Sequence, residues 1–179
     1  VFASNLEGTR NALVVAHQLG QLQRFHHVST AYVAGDVQPD CAIPEMLLPR
    51  PARFKNPYEE SKYLAEVEVL SSNLPATIHR PGIILGERVS GLCDGQTVYN
   101  VAKMLRLAQR TRTRALDRGD TDTRFRVEVN ERAAKNLIPV DDVVERMLRA
   151  ITVDIPSGQV FHLTHETPTP MSELIAVIA

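Results

Sequence analysis

Helical and strand-like segments alternate along the first half of the sequence, and this order restricts the fold more than any other feature. Apolar residues at helical spacing, short β-branched runs and intervening glycines and prolines mark the segments. In chain order they are a helix over 2–19 closed by Gly20, a strand over 25–30, a proline-rich loop over 33–57, a helix over 57–70 and a strand over 76–79. Such an order is typical of an α/β fold with a parallel sheet.

The second helix has a well-marked start in the sequence. Asn56 is a residue type that caps helices and Pro57 suits a first helical turn, so Tyr58 is placed in that turn. The strand before the proline-rich loop ends near Thr30, and ligands of parallel α/β sheets commonly bind at that end of a strand.

The pattern becomes looser after Thr97. It predicts a helix to about Gln109, a possible strand over 125–129, a helix introduced by residues 136–144 and a strand over 160–164. We expect this part to form a smaller lobe.

The composition is that of a folded protein. With 179 residues, 44% hydrophobic and 23% charged, about one domain is expected. The net charge of -1 gives no reason to expect nucleic acid or a membrane surface as a partner, and no apolar run reaches the roughly 20 residues of a membrane span. Only Cys41 and Cys93 are present, which favours a reducing compartment, so we predict the cytoplasm. Because the sequence starts on Val1 inside a predicted helix and stops inside another, we expect a piece of a longer polypeptide.

Tyr58 and Lys62 are four residues apart, so on a helix both side chains project from one face. The same spacing recurs at Tyr99 and Lys103, and spacing alone therefore does not identify a site. Of the two tyrosines, Tyr58 is the one that stands at a helix start between two predicted strands, the first of which ends at Thr30.

Proton transfer explains why this pair is of interest. A phenol with a pKa near 10 exchanges protons poorly at pH 7 unless a nearby ammonium stabilises its phenolate. Lys62 can supply that charge to Tyr58, and the Thr30 hydroxyl is a second donor for an oxygen that gains negative charge. The three side chains cover the proton side of a carbonyl reduction by hydride. The alternatives are a surface tyrosine beside a solvated lysine, and a Thr30 hydroxyl that merely caps the next turn.

The sequence resembles the extended short-chain dehydrogenases/reductases over nearly its whole length. The stretches that carry the resemblance are 5–11, 24–35, 56–66 and 80–82. The resemblance implies that residues 1–96 are the C-terminal part of a Rossmann-type parallel sheet whose first mononucleotide-binding half is missing. It also implies that residues 97–179 are mostly a small substrate-binding lobe, with the helix near 140–152 packing back on the Rossmann part.

The resemblance further implies residue roles. Asn5 would hold a water relay to the lysine, Thr30 would bind the substrate oxygen, and Tyr58 and Lys62 would act as above. Ser29 could replace Thr30, and Asn5 could instead be an ordinary helix-surface residue. The implied cofactor-binding residues are Ser29, Tyr58, Lys62, Pro81, Gly82 and Ile83, the last three through the backbone of the Arg-Pro-Gly turn.

Within that family, the sequences of segments 29–33, 56–66 and 80–87 are most similar to those of the thioester reductases and fatty acyl-CoA reductases. These enzymes use NADPH to reduce an acyl thioester to an aldehyde or alcohol. The similarity predicts NADP(H) rather than NAD(H), and a thioester on coenzyme A or on an acyl carrier protein. The alternatives are a nucleotide-sugar epimerase or dehydratase, and a non-catalytic scaffold or sensor of the same fold.

The sequence lacks the Gly-x-x-Gly-x-x-Gly loop that holds the cofactor phosphates at a helix N-terminus. The glycines at 82, 86, 91 and 95 are too widely spaced and come too late to replace it. We therefore predict that the isolated chain is inactive and binds dinucleotide weakly or not at all.

Two further clusters have less specific patterns. Arginines crowd a stretch whose one acid is Asp117, and they could meet coenzyme A phosphates or an acidic carrier protein, or form a solvated helix face. These residues are Arg106, Arg110, Arg112, Arg114 and Arg118. The histidine pairs 26–27 and 162–165 have no carboxylate or cysteine at ligand spacing, so no metal site is predicted.

Overall fold

A computed structural model describes residues 1–37, 41–92, 97–119, 130 and 133–178. The strand predicted over 125–129 lies outside these residues. The helices are α1 (Gly8–Gln18), α2 (Pro57–Ser71), α3 (Thr97–Asp117), α4 (Val140–Thr152) and α5 (Met171–Ile178). The strands are β1 (Phe25–Val28), β2 (Ala76–Pro81), β3 (Ile83–Leu85), β4 (Ala134–Lys135), β5 (Leu137–Pro139), β6 (Gln159–Leu163) and β7 (Thr169–Pro170).

The main sheet has the order β1-β2-β6 and all its strands are parallel. The register places Val28 opposite His79, and His79 opposite Phe161. The predicted α/β class with a parallel sheet is thus confirmed. Its third strand comes from the region after residue 97, so that region contributes to the main sheet as well as to the predicted lobe.

Two small strand pairs lie beside the main sheet. β3 pairs with β5 in parallel, and β4 pairs with β7 in antiparallel orientation. β3 follows β2 directly after Gly82, so the Arg-Pro-Gly turn connects the main sheet to the first of these pairs.

Several boundaries differ from the sequence prediction. The first helix starts as a π-helical segment, Ala3–Glu7, before α1. β2 continues through Pro81 instead of breaking after His79, because a proline at the last strand position leaves the preceding ladder intact. α3 extends to Asp117, beyond the predicted end near Gln109. The first two residues of the predicted proline-rich loop belong to a 3₁₀ turn, Ala31–Ala34.

Helices α1 and α2 cover one face of the main sheet. Leu13 and Val69 of these helices are buried against Ala76, Ile78 and Val160 of the strands. Burying one aliphatic side chain contributes roughly 1.5–3 kcal/mol, so this layer stabilises the sheet.

Helix α4 packs against the third strand. Val143 and Met147 contact Leu163 and Phe161 of β6. The helix predicted near 140–152 therefore lies against the main sheet. Among the described helices, none combines the length and the apolar character that crossing a bilayer would require.

Candidate active site

Tyr58 lies in the first turn of α2, and a hydrogen-bonded cap fixes where that helix starts. The side-chain oxygen of Asn56 accepts from the backbone N–H of Glu59 at 3.0 Å. The Glu59 carboxylate accepts in return from the Lys55 backbone N–H at 2.9 Å and from the Asn56 amide at 3.2 Å. The predicted cap at Asn56 is confirmed. The sequence prediction missed Glu59, although an N-cap residue followed three positions later by Glu is a known signal.

Thr30 follows β1 closely, and its hydroxyl takes part in a turn. Its oxygen accepts from the Tyr32 backbone N–H at 3.3 Å, which caps the 3₁₀ turn. The same side chain lies near the Tyr58 hydroxyl and lowers the pKa of that phenol. The structure thus shows Thr30 as the cap of the next turn, and its predicted contact with a substrate oxygen stays a prediction.

The ring of Tyr58 is 43% exposed, so its hydroxyl is accessible to a ligand. Partial burial raises the pKa of Tyr58 above its ordinary value, and the Thr30 side chain acts in the opposite direction. The phenol is therefore protonated at neutral pH, which is the form a proton donor needs.

Lys62 lies one helical turn beyond Tyr58. Its ammonium donates to the carbonyl oxygen of Val28, the last residue of β1, at 2.9 Å. Burial lowers the pKa of Lys62, and the charge of Glu66 opposes that shift. The stabilisation of a Tyr58 phenolate by Lys62 stays a prediction.

Asn5 lies in the π-helical segment and contacts the start of α2. Its amide nitrogen donates to the Ser61 hydroxyl at 3.0 Å. Ser61 is fully buried, and its hydroxyl donates to the carbonyl of Tyr58 at 2.9 Å. Asn5 is thus bonded through Ser61 to the turn that carries the tyrosine, and its role in a water relay to Lys62 stays a prediction. Sequence reasoning missed Ser61, since a serine inside a helix carries no distinctive local pattern.

Ser29 is 3% exposed, and its hydroxyl has no hydrogen-bond partner within the described parts of the chain. A buried hydroxyl without a partner is costly, and a ligand oxygen or nitrogen could satisfy it. This feature fits the predicted contact between Ser29 and a cofactor.

The turn after β2 is held tightly by the protein itself. The backbone N–H of Gly82 donates to the Leu163 carbonyl at 3.1 Å, and that of Ile83 donates to the Asn136 carbonyl at 2.8 Å. A Cβ atom on Gly82 would lie 2.7 Å from two oxygens of Asn136, so a glycine is required there. A cofactor at Pro81, Gly82 and Ile83 would contact atoms other than these two N–H groups.

The remaining predicted features lie elsewhere in the fold. Lys103, of the second Tyr-Lys pair, is an exposed residue of α3. The five arginines of 106–118 are exposed on α3 and just after it. His26 and His79 stack with ring centroids 5.3 Å apart. The described residues contain no group of three His, Cys, Asp or Glu side chains suited to a metal ion.

A cavity of about 590 Å³ lies between β3, β5, the N-terminal part of α4 and the segment after β6. Charged side chains of both signs line it, including Arg88, Arg146, Asp142 and Glu173. None of the predicted site residues is in its wall.

The chain is similar to parts of much longer known proteins. A nonribosomal peptide synthetase, asaC of Aspergillus flavus, is 27% identical over 177 residues, which cover 92% of this chain and 16% of that protein. An isonitrile lipopeptide synthase of Streptomyces coeruleorubidus is 34% identical over 92 residues, covering 50% of the chain and 6% of that protein. The chain thus spans a small fraction of the curated relatives it matches.

Solved structures share the fold. RMD from Pseudomonas aeruginosa, complexed with NADPH, is 25% identical with a TM-score of 0.69, and the match covers 98% of this chain and 56% of that one. The terminal R domain from the myxalamid PKS-NRPS pathway is 24% identical with a TM-score of 0.71, covering 94% of this chain and 39% of the other.

Residues 1–147 match the family described as male sterility protein, an NAD-binding family. This match covers the π-helical segment, the strand before Thr30, the capped helix with Tyr58 and Lys62, and the turn at Gly82. The resemblance inferred from the sequence motifs is confirmed, and the chain belongs to the male sterility protein family of the extended short-chain dehydrogenases/reductases.

Proposed function

We propose that the chain is the catalytic part of an NADPH-dependent reductase that acts on an acyl thioester and releases an aldehyde or alcohol. The observation that carries the proposal is the convergence of three side chains beside the end of β1. Thr30 follows that strand closely, and the Tyr58 hydroxyl lies close enough for the Thr30 side chain to lower its pKa. Lys62 is bonded to the last carbonyl of the same strand at 2.9 Å. Two hydroxyls and an ammonium therefore meet at the edge of the sheet where ligands bind in such folds.

Each of these groups has a chemical task in the proposed reduction. When bound, the nicotinamide supplies the hydride that reaches the carbonyl carbon. Tyr58 gives its proton to the oxygen that becomes negative, and Thr30 donates a hydrogen bond to the same oxygen, so that a hemithioacetal forms. Cleavage of its C–S bond then leaves the aldehyde and releases the thiol, which takes up the hydroxyl proton. A second hydride and proton transfer would reduce the aldehyde to the alcohol. Lys62 stabilises the phenolate that Tyr58 leaves behind, since an adjacent positive charge favours the ionised phenol.

The relatives support a thioester as the substrate class. The relative that aligns over 92% of the chain is named a nonribosomal peptide synthetase, and the terminal R domain from the myxalamid PKS-NRPS pathway has the same fold. Nucleotide-sugar enzymes such as UDP-glucose 4-epimerase of Thermus thermophilus share the fold at 22% identity. They supply the alternative that the experiment below must exclude.

For the cofactor we propose NADP(H), contacted by Ser29, Tyr58 and Lys62 and by the turn from Pro81 to Ile83. The buried hydroxyl of Ser29 supports this placement, because it has no hydrogen-bond partner within the described residues.

We further propose that sequence outside these 179 residues supplies the phosphate-binding glycine loop. Residues 97–179 would mostly bind substrate, and the cavity near β3 and β5 would form part of the substrate site. The reducing compartment favoured by the two cysteines is, in this proposal, the cytoplasm.

We also propose that the substrate is presented on coenzyme A or on an acyl carrier protein, and that the arginines of α3 contact its anionic groups. Arg106, Arg110 and Arg114 recur every four residues and are exposed, so they form a positive stripe along one helix face. Replacing Arg110 and Arg114 by Glu should raise the Michaelis constant for the thioester by about ten-fold or more. Arg112→Glu, on another face of the helix, is the matched control, and an unchanged constant in the double variant would refute the contact.

The direct test is NADPH consumption by the full-length protein in the presence of acyl-CoA thioesters and, in parallel, of nucleotide sugars. Oxidation driven by thioesters alone is expected. Turnover of nucleotide sugars without thioester turnover would replace the proposal by the epimerase or dehydratase alternative. Inactivity with both would favour a non-catalytic scaffold.

A further inference from the structure

Ser61 connects two helices at the level of the candidate active site. Its hydroxyl accepts from the Asn5 amide at 3.0 Å and donates to the Tyr58 carbonyl at 2.9 Å. A serine hydroxyl has one proton to give, so this donor is fully committed to the turn that carries the tyrosine. Ser61 is also completely buried, which excludes water as a competing partner.

The Asn5 side of this contact is fixed independently. Asn5 lies in the π-helical segment Ala3–Glu7, and such segments are rare and occur often at functional sites. The Thr9 hydroxyl donates to the Asn5 carbonyl at 2.6 Å, and the Asn5 backbone N–H donates to the Val1 carbonyl at 2.9 Å. Hydrogen bonds therefore fix both the backbone and the side chain of Asn5, and the bond to Ser61 connects this segment to α2.

We propose that Ser61 is a positioning residue, which holds the first turn of α2 against Asn5 and so sets where Tyr58 stands relative to Thr30 and Lys62. It touches neither the substrate nor the reacting atoms. The inference rests on the proposed function, because it assigns Tyr58 the role of proton donor. Small displacements of a reacting group lower rates strongly, so loss of this link should lower kcat more than it changes the Michaelis constant.

The test is a double-mutant cycle in the full-length protein with Ser61→Ala, Asn5→Ala and the combination. The first measurement is the pH midpoint at which Tyr58 titrates. It is monitored by NMR in proteins labelled at the tyrosine Cζ carbons. Tyr58→Phe identifies the signal, because that variant lacks it. Both single variants should move the midpoint in the same direction by about 0.5 pH unit, a three-fold change in proton affinity, and the combination should move it no further.

The second measurement is thioester-dependent NADPH oxidation, for which each single variant should lower kcat by about ten-fold and the combination by no more. Ser61→Thr keeps the hydroxyl and should restore both values. Ser72→Ala is the matched control, because Ser72 makes the same kind of bond to the carbonyl three residues back, at 2.7 Å, at the other end of α2. It should change neither.

Unchanged or additive Tyr58 midpoints in the cycle would overturn the inference. The titration does not depend on turnover. The two proposals can fail separately. If the Tyr58 midpoints of the variants shift as expected but the wild-type protein oxidises NADPH with no thioester, the proposed function is refuted and the positioning role remains supported.

Discussion

At the scale of single residues, the candidate site consists of side chains that hydrogen-bond to the backbone and also lie beside Tyr58, the proposed proton donor. Thr30 accepts from the Tyr32 backbone N–H and meets the Tyr58 hydroxyl. Lys62 donates to the Val28 carbonyl, which holds its ammonium at the end of β1. Side chains fixed in this way lose little further entropy when a ligand binds, which favours preorganised catalysis.

The double task of Thr30 gives a prediction that separates its two roles. Thr30→Val removes both the cap and the hydrogen-bond donor, so it should lower kcat for thioester reduction by about 100-fold and the free energy of unfolding by about 1 kcal/mol. Thr30→Ser keeps the hydroxyl and should retain most of both. Steady-state kinetics and urea unfolding measure the two effects. Full activity of Thr30→Val would show that the hydroxyl is only a cap.

Some of these residues could be predicted from the sequence and others could not. Tyr58, Lys62 and Thr30 were accessible because helix spacing, a cap signal and a strand end are local patterns. Ser61 and the buried pair of Glu66 and Arg80 were not, since their partners are distant in sequence and the contacts exist only after the strands and helices assemble.

At the scale of elements, α2 is held to the sheet and to the proline-rich loop by charge as well as by apolar contact. Arg80 of β2 and Glu66 of α2 are both fully buried, and the guanidinium donates to the two carboxylate oxygens at 2.9 and 2.7 Å. Arg80 also donates to the Met46 carbonyl at 3.0 Å, and Tyr63 of α2 donates to the Leu48 carbonyl at 3.1 Å. These bonds fix the loop next to the helix that carries Tyr58.

Breaking this ion pair should be costly because it leaves a charge buried without a partner. Arg80→Met is expected to lower the free energy of unfolding by about 3–5 kcal/mol. The pair of Arg149 and Glu145 on α4 is exposed, and Arg149→Met should change stability by less than about 0.5 kcal/mol. Urea unfolding of both variants is the measurement, and equal losses would contradict the account.

The strands also contain buried histidines that predict a dependence of stability on pH. Burial, together with the charges of Lys62 and His79, lowers the pKa of His27 from 6.5 to about 4. The unfolded chain then binds more protons than the folded one between these values, so stability present above pH 6.5 is lost as the pH falls towards 4. Burial likewise lowers the pKa of His79 to about 4, with the charge of His26 as a second cause.

His27→Leu removes one of these titrations, so the loss of stability between pH 7 and pH 4.5 should shrink by about 2–3 kcal/mol. Urea unfolding at the two pH values provides the measurement. His17 is exposed on α1, and His17→Gln serves as the matched control with an unchanged pH dependence. A His27→Leu protein that loses as much stability as wild type would show that this histidine titrates normally.

At the scale of the whole molecule, the sequence order of helices and strands was enough to predict a parallel α/β sheet, because local periodicity reports local structure. It did not predict that β6 joins β1 and β2, nor that β3 pairs with β5. Those pairings join segments more than 50 residues apart and are decided by the packing of the assembled chain rather than by any local pattern.

The absence of a phosphate-binding glycine loop predicts how the 179-residue chain behaves by itself. Calorimetry with NADPH should detect no binding in the micromolar range, since the sequence has no Gly-x-x-Gly-x-x-Gly motif to hold the pyrophosphate. A polypeptide extended through such a loop should bind. Micromolar binding by the isolated chain would contradict this prediction and would mean that another part of the sequence holds the phosphates.

The central claim is that Tyr58 is the proton donor of a thioester reductase, and one comparison tests it most directly. The rate of thioester-dependent NADPH oxidation is measured for the full-length protein and for Tyr58→Phe. Loss of the phenol hydroxyl should lower kcat by about 100-fold or more, with an unchanged midpoint of thermal unfolding because the ring is retained. A Tyr58→Phe protein that reduces thioesters within two-fold of the wild-type rate would contradict the account.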